Sequence, residues 1–253
     1  MKNTGIIIQA RTGSTRLPKK MLMKFYDDKT ILQILIERII EFNIDNLPVI
    51  LATTTNKADD ELAELGKMLN VDVFRGSEDD VLSRFVEAAE THCMDSMIRI
   101  CADNPFFDVK GTLSLLHGYN PDKEDYKTYH LDDLRPSIKS HLGFWGELVS
   151  LRALKKVADS TDEKLYHEHV TNYIYTYPES FNISWCPCPD FLSSRLDLRF
   201  TLDTEEDFLL YKELYPQSGF SENCYDLYKL VKLVDDNPVY LTKMHQQINF
   251  NSK

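Results

Sequence analysis

Four cations stand together near the start of the chain, in "QARTGSTRLPKK": Arg11, Arg16, Lys19 and Lys20, with no acid among them. The formal net charge is -11 and the first acidic residue is Asp27, so this basic loop is a local exception. Arginine grips phosphate oxygens bidentately and lysine acts as a point charge. Gly13 permits close backbone approach, while Ser14 and Thr15 add donors. The plain alternative is a solvated surface loop, which is what a short charge run usually is. The loop has neither the GxxxxGK[ST] nor the GxGxxG pattern.

Two carboxylates face the same question. "RICADNP" puts Asp103 at the end of an apolar run, and "LRFTLDTEED" does the same with Asp203. A carboxylate there is costly to bury unless it is paired or bound to metal. Opposite a basic loop, the two make a hard-cation site of the kind Mg2+ shares with substrate phosphates. Each alone has a plainer role, Asp103 capping a turn and Asp203 preceding a helix start.

The remaining metal-ligating residue types are poorly arranged. Five scattered cysteines give no disulfide frame, and Cys186-Pro-Cys188 lacks a second thiol pair for zinc. His167 and His169 are two apart, a spacing that does not share a helix face. A sequence pI near 5.1 argues against broad nucleic-acid or anionic-membrane binding. No apolar run reaches the ~18 residues of a membrane span, and "MKNTG" lacks a signal-peptide core. The expectation is a cytoplasmic protein that binds a small, highly charged anion such as a nucleoside triphosphate.

Elements that would position these residues are legible in the first half. "GIIIQA", "PVILATTT", "VDVFRG" and "SMIRICAD" read as strands, alternating with helical patterns at "ILQILIERIIEF", "ADDELAELGKML", "EDDVLSRFVEAAETH" and Val109 to His117. Such alternation implies an α/β fold with a mainly parallel, doubly wound sheet, and ligands then sit beyond the carboxyl ends of the strands. Four strand-ending segments therefore face one cleft: the basic loop, "ATTT", "FRGSEDD" and "RICADNP". In the second half, "WGELVSLRALKKVAD" and "HEHVTNYIYTY" read as helical, and "SSRLDLRFTLD" as a final strand rejoining the sheet. Thr204 reads as the N-cap of the next helix. Two further helices follow. The 253 residues read as one domain, 1–253, with a smaller lobe at 123–196.

"IIQARTGSTRLPKKML", "ATTTNKADDELAEL", "VFRGSEDDVLSRF", "RICADNPFFD", "HEHVTNYIY" and "FTLDTEEDF" resemble, in the same order, the cytidylyltransferases that make CMP-activated 3-deoxy-ulosonic acids and acylneuraminates. The resemblance covers about the first 215 residues and is nearest to the SpsF-like spore-coat polysaccharide branch. It implies a GT-A-like nucleotidyltransferase fold, CTP as co-substrate, Mg2+ as cofactor, a small anionic acceptor and a homodimer. By the resemblance, Arg11, Arg16 and Lys20 are catalytic and face the triphosphate. Gln9, Ala10, Gly13, Ser14, Arg75, Gly76, Ser77 and Asp103 join Arg11 and Lys20 in binding CTP, and Asp103 and Asp203 hold the metal. The family pattern "RLPGK" has Gly where this chain has Lys19. Phe106, Phe107, His130, Arg135, His141 and the "HEH" stretch are candidates for an acceptor pocket, with a core role the alternative for both Phe residues. A GT-A glycosyltransferase using "DDL" at Asp132 and Asp133, or a non-catalytic nucleotide-binding protein, are the rival readings.

Overall fold

A computed structural model describes residues 3–43, 45–222 and 224–250. The apolar run after Asn3 forms β1 (Thr4–Gln9), central in a seven-stranded sheet and buried on both faces. It pairs in parallel with β4 (Val49–Thr54) on one side and β6 (Ser96–Cys101) on the other, and β4 pairs in parallel with β5 (Asp72–Gly76). A small hairpin, β2 (Lys24–Tyr26) and β3 (Lys29–Thr30), lies outside this sheet. Beyond β6 the sheet order continues through β8 (Glu147–Ser150), antiparallel to β6, then β7 (Tyr126–His130) and β9 (Ile183–Pro187). Residues 123–196 thus supply three strands at one edge of the same sheet.

Both faces are covered, as a doubly wound sheet requires. Ile6, Ile8, Leu51, Ile98 and Ile100 pack under α1 (Ile31–Phe42), α2 (Asp60–Met68) and α4 (Val109–Ser114). Thr30 caps α1 by accepting the Gln33 N–H at 3.1 Å, and the helix turns Leu32, Leu35, Ile36 and Ile39 inward at helical spacing. On the other face Ile7, Ile50, Met97 and Val149 pack under α3 (Val81–Thr91), α5 (Leu151–Ser160) and α7 (Asn172–Thr176). A third cluster, rich in aromatic rings, joins Phe106, Phe144 and Phe200 to α9 (Glu205–Leu214), α10 (Leu227–Asp235) and α11 (Pro238–Phe250). Phe106 stands edge-on to Phe200, Tyr211 and Phe220, and truncating such a core ring costs about 3–5 kcal/mol.

Three expectations change. Residues 198–202 are extended but join no sheet: the N–H groups of Phe200 and Leu202 donate to the carbonyls of His141 and Asp103, so the segment laces two loops together. "WGELVSLRALKKVAD" divides into β8 and α5, because Glu147–Ser150 is buried on every residue and pairs with β6, and Ser150 caps the helix that follows. "HEHVTNYIYTY" breaks into α6 (Lys164–Glu168) and α7, with a turn over residues 169–171. Thr204 caps α9 as expected, in a capping box with Asp207.

Candidate active site

The basic loop is held from beneath by a residue that the sequence reading missed. Thr12 donates its N–H and its hydroxyl to Asp59 Oδ1, at 2.7 and 2.6 Å, and the Thr54 hydroxyl donates to Oδ2. Burial pushes the Asp59 carboxyl up, but the hydrogen bonds from Thr12 and Thr54 outweigh it and the net shift is downward. An ionised, buried carboxylate therefore fixes the loop after β1 to the loop after β4. Its sequence signal, the acid in "NKADD", was indistinguishable from a helix N-terminal charge.

Above that anchor the four cations diverge. Arg11 reaches Glu168 of α6 at 3.5 Å, and Arg16 reaches Asp203 Oδ1 at 2.9 Å. Lys19 has φ 56° and ψ 20°, the left-handed region that glycine occupies freely, and its exposed side chain ends 3.9 Å from Glu61. Lys20 turns the other way. Its ammonium donates to the Leu202 carbonyl at 2.5 Å and lies 3.6 Å from Asp103 Oδ2 and 3.7 Å from Asp203 Oδ1.

Asp103 and Asp203 thus converge on one cation, although 100 positions separate them. The lacing of residues 198–202 to the loops after Asp103 and before Gly143 brings them together. Asn104, 1% exposed, locks this arrangement by donating to the Gly143 carbonyl at 2.7 Å and accepting the Phe106 N–H. Gly143, at φ 64°, leaves no space for a side chain, since a Cβ there would lie 2.7 Å from Thr201 Cγ2. Asp203 is further held by Arg199, whose Nη2 donates to Oδ2 at 3.0 Å. Arg199 is fully buried and also grips Asp207 with two bonds, at 2.9 and 2.8 Å. Two carboxylates around one cation suit a hard divalent metal, which takes one or two protein oxygens and fills its shell with water and phosphate. Among the described residues no group of three or more His, Cys, Asp or Glu side chains forms a self-sufficient metal cage.

Other expected CTP contacts surround the same strand ends. Gln9 Oε1 accepts from Arg99 at 3.4 Å, and Ala10 is buried with its N–H on the Ala52 carbonyl. Gly13 approaches Glu78, and the Ser14 hydroxyl accepts the Leu17 N–H. Gly76 has no room for a Cβ, which would meet Phe74 at 2.9 Å and Arg84 at 3.0 Å. The Ser77 hydroxyl accepts the Asp80 N–H at 3.0 Å. Arg75 spends its guanidinium on the Thr54 and Asn56 carbonyls and on Asp60, so using it on a base would mean breaking these bonds. Arg84, fully buried, donates to the Ser77 carbonyl, and burial together with the Arg11 charge lowers it to about 10.

Beside the carboxylates opens a cavity of about 420 Å3, lined by Arg16, Arg99, Trp145, Glu147, Thr171 and Thr201 among others. Asp103 and Asp203 stand on its wall. Of the expected pocket residues, Phe107 and His169 line it, whereas Phe106 belongs to the aromatic core. His141 accepts from Arg199 Nη1 through its Nδ1, at 2.7 Å. His130 and Arg135 lie elsewhere, on the Leu131 carbonyl and on Asp133. Asp132 bonds Ser193 and, like Asp133, does not line the cavity. His167 is set apart from His169: its ring bridges Asp80 at 2.9 Å and the Thr161 carbonyl at 2.8 Å.

Comparison with known proteins identifies the family and the fold. The sequence model of the cytidylyltransferase family matches residues 5–235. The chain is 32% identical over 242 residues to the spore coat polysaccharide biosynthesis protein SpsF of Bacillus subtilis, covering 94% of this chain and 96% of that one. A cytidylyltransferase structure from Leptospira borgpetersenii superposes with a TM-score of 0.83 at 29% identity, over 95% of this chain and 97% of that one. CMP:2-keto-3-deoxy-manno-octonic acid synthetase, solved with CTP, shares the fold at a TM-score of 0.63 and 17% identity, over 85% and 99% of the two chains. The family match runs from the first strand to the end of α10 and takes in every cation and carboxylate of the cleft, so the chain belongs to the cytidylyltransferase family and is a CTP-using nucleotidyltransferase.

Proposed function

We propose that the protein transfers CMP from CTP to a small acidic sugar or related polysaccharide precursor, with Mg2+ as cofactor. The observation that carries this reading is the position of Lys20, between Asp103 and Asp203, two carboxylates that with Arg16 line a cavity large enough for a sugar acid. The spore-coat relative supports a polysaccharide precursor as the acceptor.

In the reaction an acceptor oxygen attacks the α-phosphorus of CTP in line. A new O–P bond forms as the bond to the bridging oxygen breaks, and pyrophosphate leaves. The attacking hydroxyl gives its proton to water or to a carboxylate of the pair. Such chemistry needs positioning and charge neutralisation more than covalent help. Asp103 and Asp203 would hold the divalent cation, which when bound supplies positive charge at the phosphates and acidifies the acceptor hydroxyl. Lys20 and Arg16, now spent on these carboxylates, turn to the phosphate oxygens, and Arg11 exchanges Glu168 for the triphosphate. The bond from Arg199 to Asp203 holds one carboxylate in place while this exchange occurs.

Residues 123–196 act as the acceptor and dimerisation lobe. They contribute Trp145, Glu147, His169 and Thr171 to the cavity and include β9, an edge strand. A pyrophosphate-release assay with CTP, UTP, GTP and ATP against acidic sugars and polyol phosphates tests the proposal. Release with CTP and an acidic sugar is expected. Nucleotide binding without turnover on the whole panel would refute cytidylyl transfer.

A further inference from the structure

Helix α1 carries a charge on its inward side. Arg38 lies between Leu35 and Ile39, both buried, and is itself only 3% exposed. A buried guanidinium is costly unless it is well bonded, and an apolar side chain of similar volume often fits such a place at least as well. Its partners define what the charge does there. Nη1 donates to two carbonyls at once, those of Pro105 at 3.0 Å and Phe107 at 3.1 Å, and Nη2 donates to the Tyr215 hydroxyl at 3.0 Å. None of these partners is a carboxylate, so the cation is not there to neutralise an acid.

Pro105 and Phe107 follow Asp103 on the segment that joins β6 to α4, and the Phe107 side chain lines the cavity. Other contacts tie this segment to the loops across the cleft. The Asp103 carbonyl accepts the Leu202 N–H, and the Asp108 N–H donates to the Phe144 carbonyl. Arg38 ties the same segment to α1. The guanidinium is held in turn, with its carbon 4.6 Å from the centroid of the Tyr225 ring and 5.1 Å from that of Phe220, a cation–π arrangement. The Tyr225 hydroxyl donates to Glu41 Oε2 at 3.3 Å, one turn along α1, and so fixes its ring over Arg38. Tyr215, Phe220 and Tyr225, all from the chain after α9, thus meet the segment that carries Asp103 through a single side chain.

We propose that Arg38 is a positioning residue for Asp103. By fixing the Pro105 and Phe107 carbonyls to α1 and to the chain after α9, it holds the Asp103 carboxylate at the spacing from Asp203 that a divalent cation needs. Groups behind a metal-binding side chain orient it without touching the metal. The inference rests on the reading of Asp103 and Asp203 as the metal pair.

Binding of CTP without acceptor tests it. Calorimetry gives the Kd of CTP with excess Mg2+ and with EDTA, and the ratio of the two is the gain that the metal provides. A smaller folded fraction leaves that ratio unchanged. The unaltered protein should gain at least about tenfold, and Asp103→Asn should lose the gain. Arg38→Met, similar in reach but without donors, should reduce the gain at least about fivefold while the affinity in EDTA stays within about twofold. Arg38→Lys keeps the charge but not the planar fork; it should reduce the gain about two- to threefold, and it serves alone if Arg38→Met does not fold. A full gain in whichever variant folds, or an equal loss of CTP affinity with and without Mg2+, would overturn the positioning role. If the unaltered protein shows no gain, or Asp103→Asn keeps it, the metal pair itself is refuted and the role of Arg38 falls with it.

Discussion

Replacing Lys19 with glycine separates two adjacent lysines that composition cannot tell apart. Lys19 holds φ 56° and ψ 20°, a region that costs a residue with a Cβ about 1–2 kcal/mol. Glycine removes this cost but gives back about 0.5–1 kcal/mol through the greater freedom of the unfolded chain. The side-chain loss is small: the ammonium is 3.9 Å from Glu61, and both side chains are about two-thirds exposed, at 63% and 68%. Surface pairs of that kind contribute about 0–1 kcal/mol, toward zero at the long end of contact. The Lys19 N–H, which donates to the Thr12 carbonyl, is kept. Lys19→Gly should therefore be neutral to about 1 kcal/mol stabilising. For a chain of this size that raises the melting temperature by about 0–4 °C. Urea and thermal unfolding measure it, alongside turnover with CTP. Lys20→Ala, in contrast, removes the cation between Asp103 and Asp203 and should lower turnover at least about a hundredfold. A Lys19→Gly protein that loses more than about 1 kcal/mol, or that loses turnover while Lys20→Ala keeps it, would refute both the strain argument and the assignment of roles.

Asp103→Asn and Asp203→Asn should each abolish turnover in a folded protein, and EDTA should do the same to the unaltered enzyme; metal-dependent turnover surviving in either variant removes the shared site. Base choice should favour CTP over UTP by at least about tenfold in kcat/KM, and equal use of the two contradicts a cytosine-reading pocket. His167 has acceptors on both ring nitrogens, the Thr161 carbonyl and then Asp80, and these raise its pKa above 6.5 despite the opposing effect of burial. Its contribution is fully present below pH 6.5 and is lost as pH rises through the higher folded value. Unfolding at pH 6 and pH 8.5 should show a larger loss for the unaltered protein than for His167→Gln. Equal losses would place the pH dependence elsewhere.

Local sequence determined a good deal by itself. The alternation of apolar runs with 3.6-residue patterns dictates β1, β4, β5 and β6 with their helices, because each run can be buried only by the pattern beside it. The cations around Gly13 and the carboxylates at 103 and 203 stand out as candidates for phosphate and metal chemistry from residue type and from their place after apolar runs. Thr204 was legible as a cap because its partner, Asp207, is three residues away.

Other features are invisible in any short window. Residues 198–202 have strand composition but bond to loops 99 and 59 residues earlier, since Leu202 meets Asp103 and Phe200 meets His141. Asp59 is an ordinary helix-start acid until Thr12, 47 positions away, donates to it. Arg99 and Glu147 become a neutral buried pair only when β8 lies antiparallel to β6 in one particular register. Chain neighbours set propensity and caps, whereas the pairing of buried charges is decided by which distant backbone segments the sheet brings alongside. The tertiary structure alone therefore decided what holds the basic loop and how the cavity wall is charged.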